Sequence, residues 1–579
     1  MPSTPSLDMT ASRPVPIRSK SAAVMGAMAI AFTCEVSFAS EEPPPVDRFV
    51  VRMPDTLPSD PALEGELLLL FVPAARRESE VPAEGPFWAR PHPLGALTVQ
   101  PRAGDSIEFR GLVDLASPEP ADPAGALALD VAGRREESTE STMPSARWYP
   151  DDPSTFEGAF RVQAVFRPRR ADPTPGSPTE WRSRAVTISM SPSRADELDL
   201  QLEAPLAEPL PPTQLVGPGD PPGLVLVEER SERLASSGAE RPIHRAWIVF
   251  PRGYHDLAAP RRVWPAIYVI PHEGDGRREA EALREAIAIP ETRSSMPQAV
   301  WIVLDPSSPW GHHGFADSSV HGPRASALVE EFIPALERRV RIVPDGRARL
   351  LSGHGAGGWS AIWLQQEFPR DFGGAFATSP ETVDLSRLGQ VDAYGSDAFA
   401  REDGEPRAAY REAVAGRGEA IRTFVSQEAR LAEVASPRGR SGNRWHRWAA
   451  RMSPLDEQGR PRPLFDQEGA IDRSLAERWW LRHDLAAALA REPLRRVPMW
   501  DRQIQVRVGS LDEHFHDRTL LSLRSYLADL RRELGLPRPD GGLIELVPGA
   551  TFETIVPKAT PSTYRAMIER LRELGLQDE

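Results

Sequence analysis

Apolar runs along this chain are short and regularly broken, and their period changes once, so two architectures are predicted in series. Residues 64–72, 106–112, 158–166 and 183–190 are brief stretches rich in Leu, Val, Ile and Phe, parted by Pro, Gly and Asp. That spacing predicts a β-sandwich-like domain of antiparallel strands over residues 46–203. From residue 224 onward, strand-like runs at 263–270, 299–304, 348–351, 374–378 and 543–547 alternate with helix-period stretches at 325–338 and 359–368. Strands alternating with helices predict an α/β, doubly wound, mostly parallel sheet. Between residues 384 and 499 the alternation gives way to a long charged segment with Trp445, Trp448, Trp479 and Trp480. It reads as a mostly helical insert that covers the carboxyl ends of the strands, with the tryptophans packing it onto the core. Residues 204–223, containing Pro-Leu-Pro-Pro and Gly-Pro-Gly-Asp-Pro-Pro, read as a stiff linker between the two regions.

Composition narrows the function classes. At 579 residues and 40% hydrophobic content the chain has material for two cores. A formal net charge of −14 with no compensating basic stripe argues against nucleic acid as a partner. Residues 1–39 carry Arg13, Arg18 and Lys20, then an apolar run at 22–32, then Ser37-Phe38-Ala39, the pattern of a secretory signal cleaved after Ala39. The run is too short to span a bilayer, so an exported protein, periplasmic or extracellular and with no integral membrane span after cleavage, is expected. Cys34 is the single cysteine and lies in that leader, so no disulfide is expected in the mature chain.

The candidate chemistry centres on Leu351-Ser352-Gly353-His354-Gly355-Ala356-Gly357-Gly358-Trp359. A Gly-x-Ser-x-Gly elbow turns a buried strand into a helix within about one residue, and the serine at its apex attacks an acyl carbon. Here the small flanking residues are present and the apex is Gly355, which keeps the turn and supplies no nucleophile. Ser352 falls in the strand and Ser360 in the helix, and both read as structural. His272, at the end of the strand 263–270, and Ala356, just after the apex, are the expected backbone donors of an oxyanion-type site. His354, His514 and His516 are candidates for the ligand crevice. His312-His313 with Asp305, Asp317 and His321 forms a His/Asp cluster whose spacing matches no helix-borne zinc motif, so no metal is expected.

Together with Leu304-Asp305-Pro306, residues 311–318, Gly322-Pro323 and the elbow through Trp359-Ser360, these features resemble the esterase D and enterochelin esterase family of α/β-hydrolases. The similarity spans residues 224–576 and is greatest to a large-insert bacterial branch. It implies an α/β-hydrolase region over 224–579, with the insert at 384–499, and cofactor-free cleavage of carboxylic esters by a Ser-His-Asp triad. Carried over position by position, Gly355 stands at the nucleophile, Asp512 at the acid and Phe552 at the histidine, and no histidine follows His516. Triad members act as a unit, so losing two together implies a chain that has stopped this chemistry. The expectation is a non-catalytic binding or interaction protein for a small-molecule or ester-like ligand. The alternative is a carboxylic ester hydrolase using a displaced nucleophile or a histidine-activated water.

Overall fold

The structure is a computed structural model that describes residues 48–576 apart from 58–62, 76–81, 83–84, 86–87, 110–145, 151–155, 157, 170–179, 191–196, 204–223, 257–260, 415–417 and 538–542. The expected signal segment 1–39 and the linker 204–223 lie outside the described residues, which belong to one compact unit, Pro43–Glu579.

The N-terminal region holds two sheets. One runs in the order Arg147–Tyr149, Leu94–Val99, Gly65–Pro73, Gly158–Pro168, Trp181–Arg182, with Val186–Met190 also paired to Gly158–Pro168. The other has Arg48–Arg52 between Ser106–Phe109 and Glu197–Gln201. Pairing is antiparallel as expected except between Arg48–Arg52 and Glu197–Gln201, which run parallel. The unbroken apolar run of Gly65–Pro73 follows from burial on both faces. Leu67, Leu69 and Phe71 share a core with Phe49, Val51 and Phe166. Leu68 and Leu70, pointing the other way, pack on Leu431, Val434 and Ala435 of the insert.

The second region is built on eight strands: β1 (Leu224–Arg230), β2 (Ile243–Val249), β3 (Ala266–Ile270), β4 (Val300–Leu304), β5 (Arg349–His354), β6 (Gly374–Thr378), β7 (Ile504–Gly509) and β8 (Ile544–Val547). Their order is β1-β2-β4-β3-β5-β6-β7-β8. β2 is antiparallel to β1 and β4, and the remaining pairs are parallel. All five residues of β4 are buried, as a central strand covered on both faces requires. Tyr268, Ile302 and Leu351 face one core with Trp359 of the helix α2 (Ala356–Glu367). Ile267, Trp301 and Leu350 face the other, with Ala280 of α1 (Arg277–Ala288) and Met567 of α6 (Ile555–Glu573). This is the doubly wound α/β sheet expected from the alternation of periods.

The insert has its own core, in which Trp445, Trp448 and Trp480 are buried among Leu388, Val391 and Leu475. It contains α3 (Val425–Ala435) and α4 (Arg444–Met452). It is less helical than the sequence predicts, because Ala408–Val414 and Gly418–Phe424 form an antiparallel hairpin. Most of Gly418–Phe424 is exposed, so its charged residues leave no apolar period to betray a strand. Helix α5 (His516–Glu533) follows β7 on the way to β8.

Candidate active site at the elbow

The turn from β5 into α2 passes through Gly355 at φ 54° and ψ −117°, a conformation that L side chains rarely adopt. Its N–H donates to the Thr378 carbonyl at 3.0 Å, and its carbonyl accepts from the amides of Trp359 and Glu381, both at 3.0 Å. A Cβ on Gly357 would collide with the Ile270 carbonyl, so only glycine lets the helix pass this close to β3. The backbone of an elbow is therefore intact.

Its apex is filled. A Cβ added at Gly355 would overlap His272 Nδ1 and lie 2.9 Å from both His272 Cε1 and Phe552 Cζ. Phe552 is 4% exposed. Four histidine rings surround it, with centroids at 4.3 Å for His354, 4.5 Å for His514, 5.1 Å for His272 and 5.7 Å for His516. The phenyl ring thus sits among four imidazoles and against the Gly355 apex. The glycine and the phenylalanine are sterically matched.

Asp512 is fully buried. Its Oδ1 accepts the amides of His514 at 3.0 Å and His516 at 3.2 Å, with His516 Nδ1 at 3.4 Å. Its Oδ2 has no hydrogen-bond partner among the described residues. An acid beside a triad histidine would spend that second oxygen on the ring N–H. Burial alone would raise the Asp512 pKa, but His516, its amide and His514 outweigh burial and hold the carboxyl below its usual range.

Of the two expected oxyanion donors, the Ala356 amide has a partner within the protein. The His272 ring turns inward, and its Nδ1 accepts the Ala356 N–H at 3.0 Å. The donor that would face a developing oxyanion is occupied by a neutral imidazole nitrogen. Burial, foremost, pushes the His272 pKa down. His354 donates from Nδ1 to the Thr378 carbonyl at 3.1 Å, and burial followed by the neighbouring His272 takes it to about 3. His514 is also held well below the usual range, first by burial and then by His516. Imidazoles this weakly basic are poor at deprotonating water near neutral pH.

Of the histidines expected at a ligand crevice, His516 is buried, and His354 and His514 are half-buried against Phe552. Ser352 is half-buried in β5, paired with Val269 and Phe376. Ser360 is buried and donates to the Ala356 carbonyl at 2.9 Å, a helix-internal bond. In the His/Asp cluster, Asp305 is buried against Arg241 and Ser307, and Asp317 caps the following helix through the amides of Ala325 and Ser326.

Sequence reasoning missed the clamp over the elbow. Glu381, whose amide holds the Gly355 carbonyl, accepts from Arg447 Nη2 at 3.1 Å and Trp448 Nε1 at 3.0 Å. Arg447 Nη1 also reaches Glu273, beside His272, at 3.0 Å. Arg451, 0% exposed, lies with its guanidinium 4.6 Å above the Trp359 ring, and burial lowers its pKa to about 10. Burial raises the Glu381 pKa, yet Arg447 and Arg451 prevail and keep its carboxyl ionised well below the ordinary range. One signal was available: Arg444, Arg447 and Arg451 recur at helical spacing, on one stripe of α4. A second missed feature is a line of side chains between α3 and α4. Ser441 Oγ lies 2.7 Å from His446 Nδ1, and His446 Nε2 lies 3.4 Å from Glu433 Oε1.

No family model and no curated protein matches the chain. Among solved structures it is similar to a ferulic acid esterase at 12% identity, over 59% of this chain and 98% of that one, with a TM-score of 0.34. It is also similar to an S-formylglutathione hydrolase from Staphylococcus aureus at 11% identity, over 60% and 98%, with a TM-score of 0.32. A third, an S-formylglutathione hydrolase from Agrobacterium tumefaciens, is 12% identical over 60% and 95%, with a TM-score of 0.29.

Proposed function

We propose that this is an exported protein whose α/β-hydrolase region has lost acyl transfer at the elbow and works as a non-catalytic binding or interaction protein. The observation that carries this reading is steric: the space a residue-355 side chain would need is held by His272 and Phe552. A serine lost by a recent single change would leave a vacancy and a waiting histidine. Instead the apex, the base position and the oxyanion amide are each filled by a packed group, and Asp512 retains an orphaned oxygen as the trace of the older arrangement. The test is hydrolysis of p-nitrophenyl acetate by the full chain against a heat-denatured control. No excess rate is expected, and turnover lost on Asp512→Ala would overturn the reading.

A second reading keeps the chain an ester hydrolase with a displaced nucleophile, and the 2.7 Å contact of Ser441 with His446, backed by Glu433, favours it. Against it, Ser441 is 2% exposed and its Oγ already accepts the Asn443 amide at 3.2 Å, as a residue ordering a helix start does. Fluorophosphonate labelling followed by peptide mapping separates the two: a tag on Ser441 supports this second reading, and an untagged Ser441 removes it.

A further inference from the structure

Away from the closed elbow, α3, α4 and the loop 456–468 enclose a cleft of about 470 Å³, within the range of small-molecule sites. We propose that this cleft binds a neutral carbohydrate of short oligosaccharide size. The inference rests on the reading that the chain binds rather than turns over, and adds to it a place and a ligand class.

Charge balance is the first argument. Arg430, Arg438 and Arg460 line the cleft together with Glu433, Asp456, Asp466 and Glu468. Three cations against four anions leave no positive excess to draw in an anionic ligand. Arg460 is paired with Asp456 at 3.1 Å, and Arg438 with Glu64, so two of the cations are neutralised within the protein. What the cleft offers in quantity is carboxylate oxygen, from Glu433, Asp466 and Glu468, an acceptor surface that suits the hydroxyl groups of a sugar.

The apolar surface is the second argument. Phe465 is half-buried and fixed by edge contacts, 4.9 Å from the Trp445 ring and 5.4 Å from Phe399, and Pro461, Pro463 and Leu464 continue this wall. A pyranose ring has an apolar C–H face and a polar rim, and an aromatic surface bordered by carboxylates and amides is complementary to both. At the rim, the exposed Gln467 and Glu468 side chains have no hydrogen-bond partner among the described residues.

Preorganisation is the third. Asp456 Oδ1 accepts the amides of Gln458 at 2.9 Å and Arg460 at 2.8 Å, and Asp466 Oδ1 accepts those of Glu468 at 3.1 Å and Ala470 at 2.8 Å. The loop wall is thus set before any ligand arrives, which reduces the ordering cost of binding.

The test is calorimetric titration of the full chain with maltose, cellobiose and xylobiose, preceded by a neutral glycan array, with inorganic phosphate and choline as charged probes. At least one neutral glycan is expected to bind, with Kd raised about tenfold or more by Phe465→Ala, the loss of one ring contact. Gln467→Ala, at an exposed position that leaves folding untouched, is expected to raise Kd about threefold or more. Silence across the array, binding unchanged in both variants, or preference for phosphate or choline overturns the proposal. Ester turnover alongside intact glycan binding would instead sink the non-catalytic reading and leave the cleft standing.

Discussion

His272 accepts the Ala356 amide on Nδ1 at 3.0 Å, so the first residue of the elbow helix gives to a side chain the donor that an acyl-transfer site keeps for its oxyanion. The same ring blocks the volume above Gly355, so one residue both holds the Ala356 amide and excludes a side chain at the apex.

Restoring serine alone is therefore expected to harm the protein. Gly355→Ser places a side chain at φ 54° and drives its Cβ into His272, with backbone strain alone costing about 1–3 kcal/mol. Urea denaturation checks this. A double-mutant cycle with His272→Ala should recover part of the loss, because the clash is shared between the two sites, whereas purely additive losses would show that the ring is not the obstacle.

Acid stability tests the buried site. Folded His354 titrates near 3 and an unfolded histidine near 6.5, so between those values the unfolded chain binds more protons and stability falls as pH drops. Asp512 has the same sign: its folded pKa is depressed, so its contribution is complete above the ordinary aspartate range and is lost as pH falls through it. His354→Gln should flatten the limb that begins near pH 6.5, and Asp512→Asn only the limb below about pH 4. Denaturation midpoints measured from pH 3 to 8 decide it, and a limb unchanged in His354→Gln would mean that this ring is protonated in the fold.

Much of this region was legible because its signals are local. The five-residue apolar run of β4 and the glycines about the apex state a central strand and a tight turn without reference to anything distant. That Gly355 lacks a hydroxyl is equally plain. What fills the vacancy was not legible, because His272, Phe552 and Gly355 meet from three separate strand ends, and the tautomer and tilt of His272 depend on all of them. The Ala408–Val414 hairpin escaped for the opposite reason: its partner strand is solvent-facing and carries no period to read. Arg451 shows the limit of composition, since the charged character of the insert does not disclose that this guanidinium is 0% exposed.

The N-terminal region is expected to be coupled in stability to the insert. Leu431, fully buried, meets Leu68 and Leu70 across the contact between them. Leu431→Ala should cost about 2–4 kcal/mol. If the contact is integral, calorimetry will show one unfolding transition moved to lower temperature; a variant that splits it into two transitions would show that the regions melt independently.

The clamp over the elbow yields the largest expected effect. Glu381 is 4% exposed and meets Arg447, 7% exposed, at 3.1 Å, with Arg451 behind it, so its carboxylate is the shared counter-charge of two buried guanidinium groups, of which Arg447 also reaches Glu273. Removing one partner of such a pair strands the rest: Glu381→Ala should cost about 3–5 kcal/mol, while Glu381→Gln with Arg447→Met, which removes both charges and keeps the volume, should cost less than the sum of the single changes. Because Glu381 also donates its amide to the Gly355 carbonyl, the damage should extend to the turn. Hydrogen exchange in Glu381→Ala is therefore expected to quicken at the amides of residues 355–359 as well as in α4. Protection lost in α4 alone would mean that the insert is anchored without reference to the elbow beneath it.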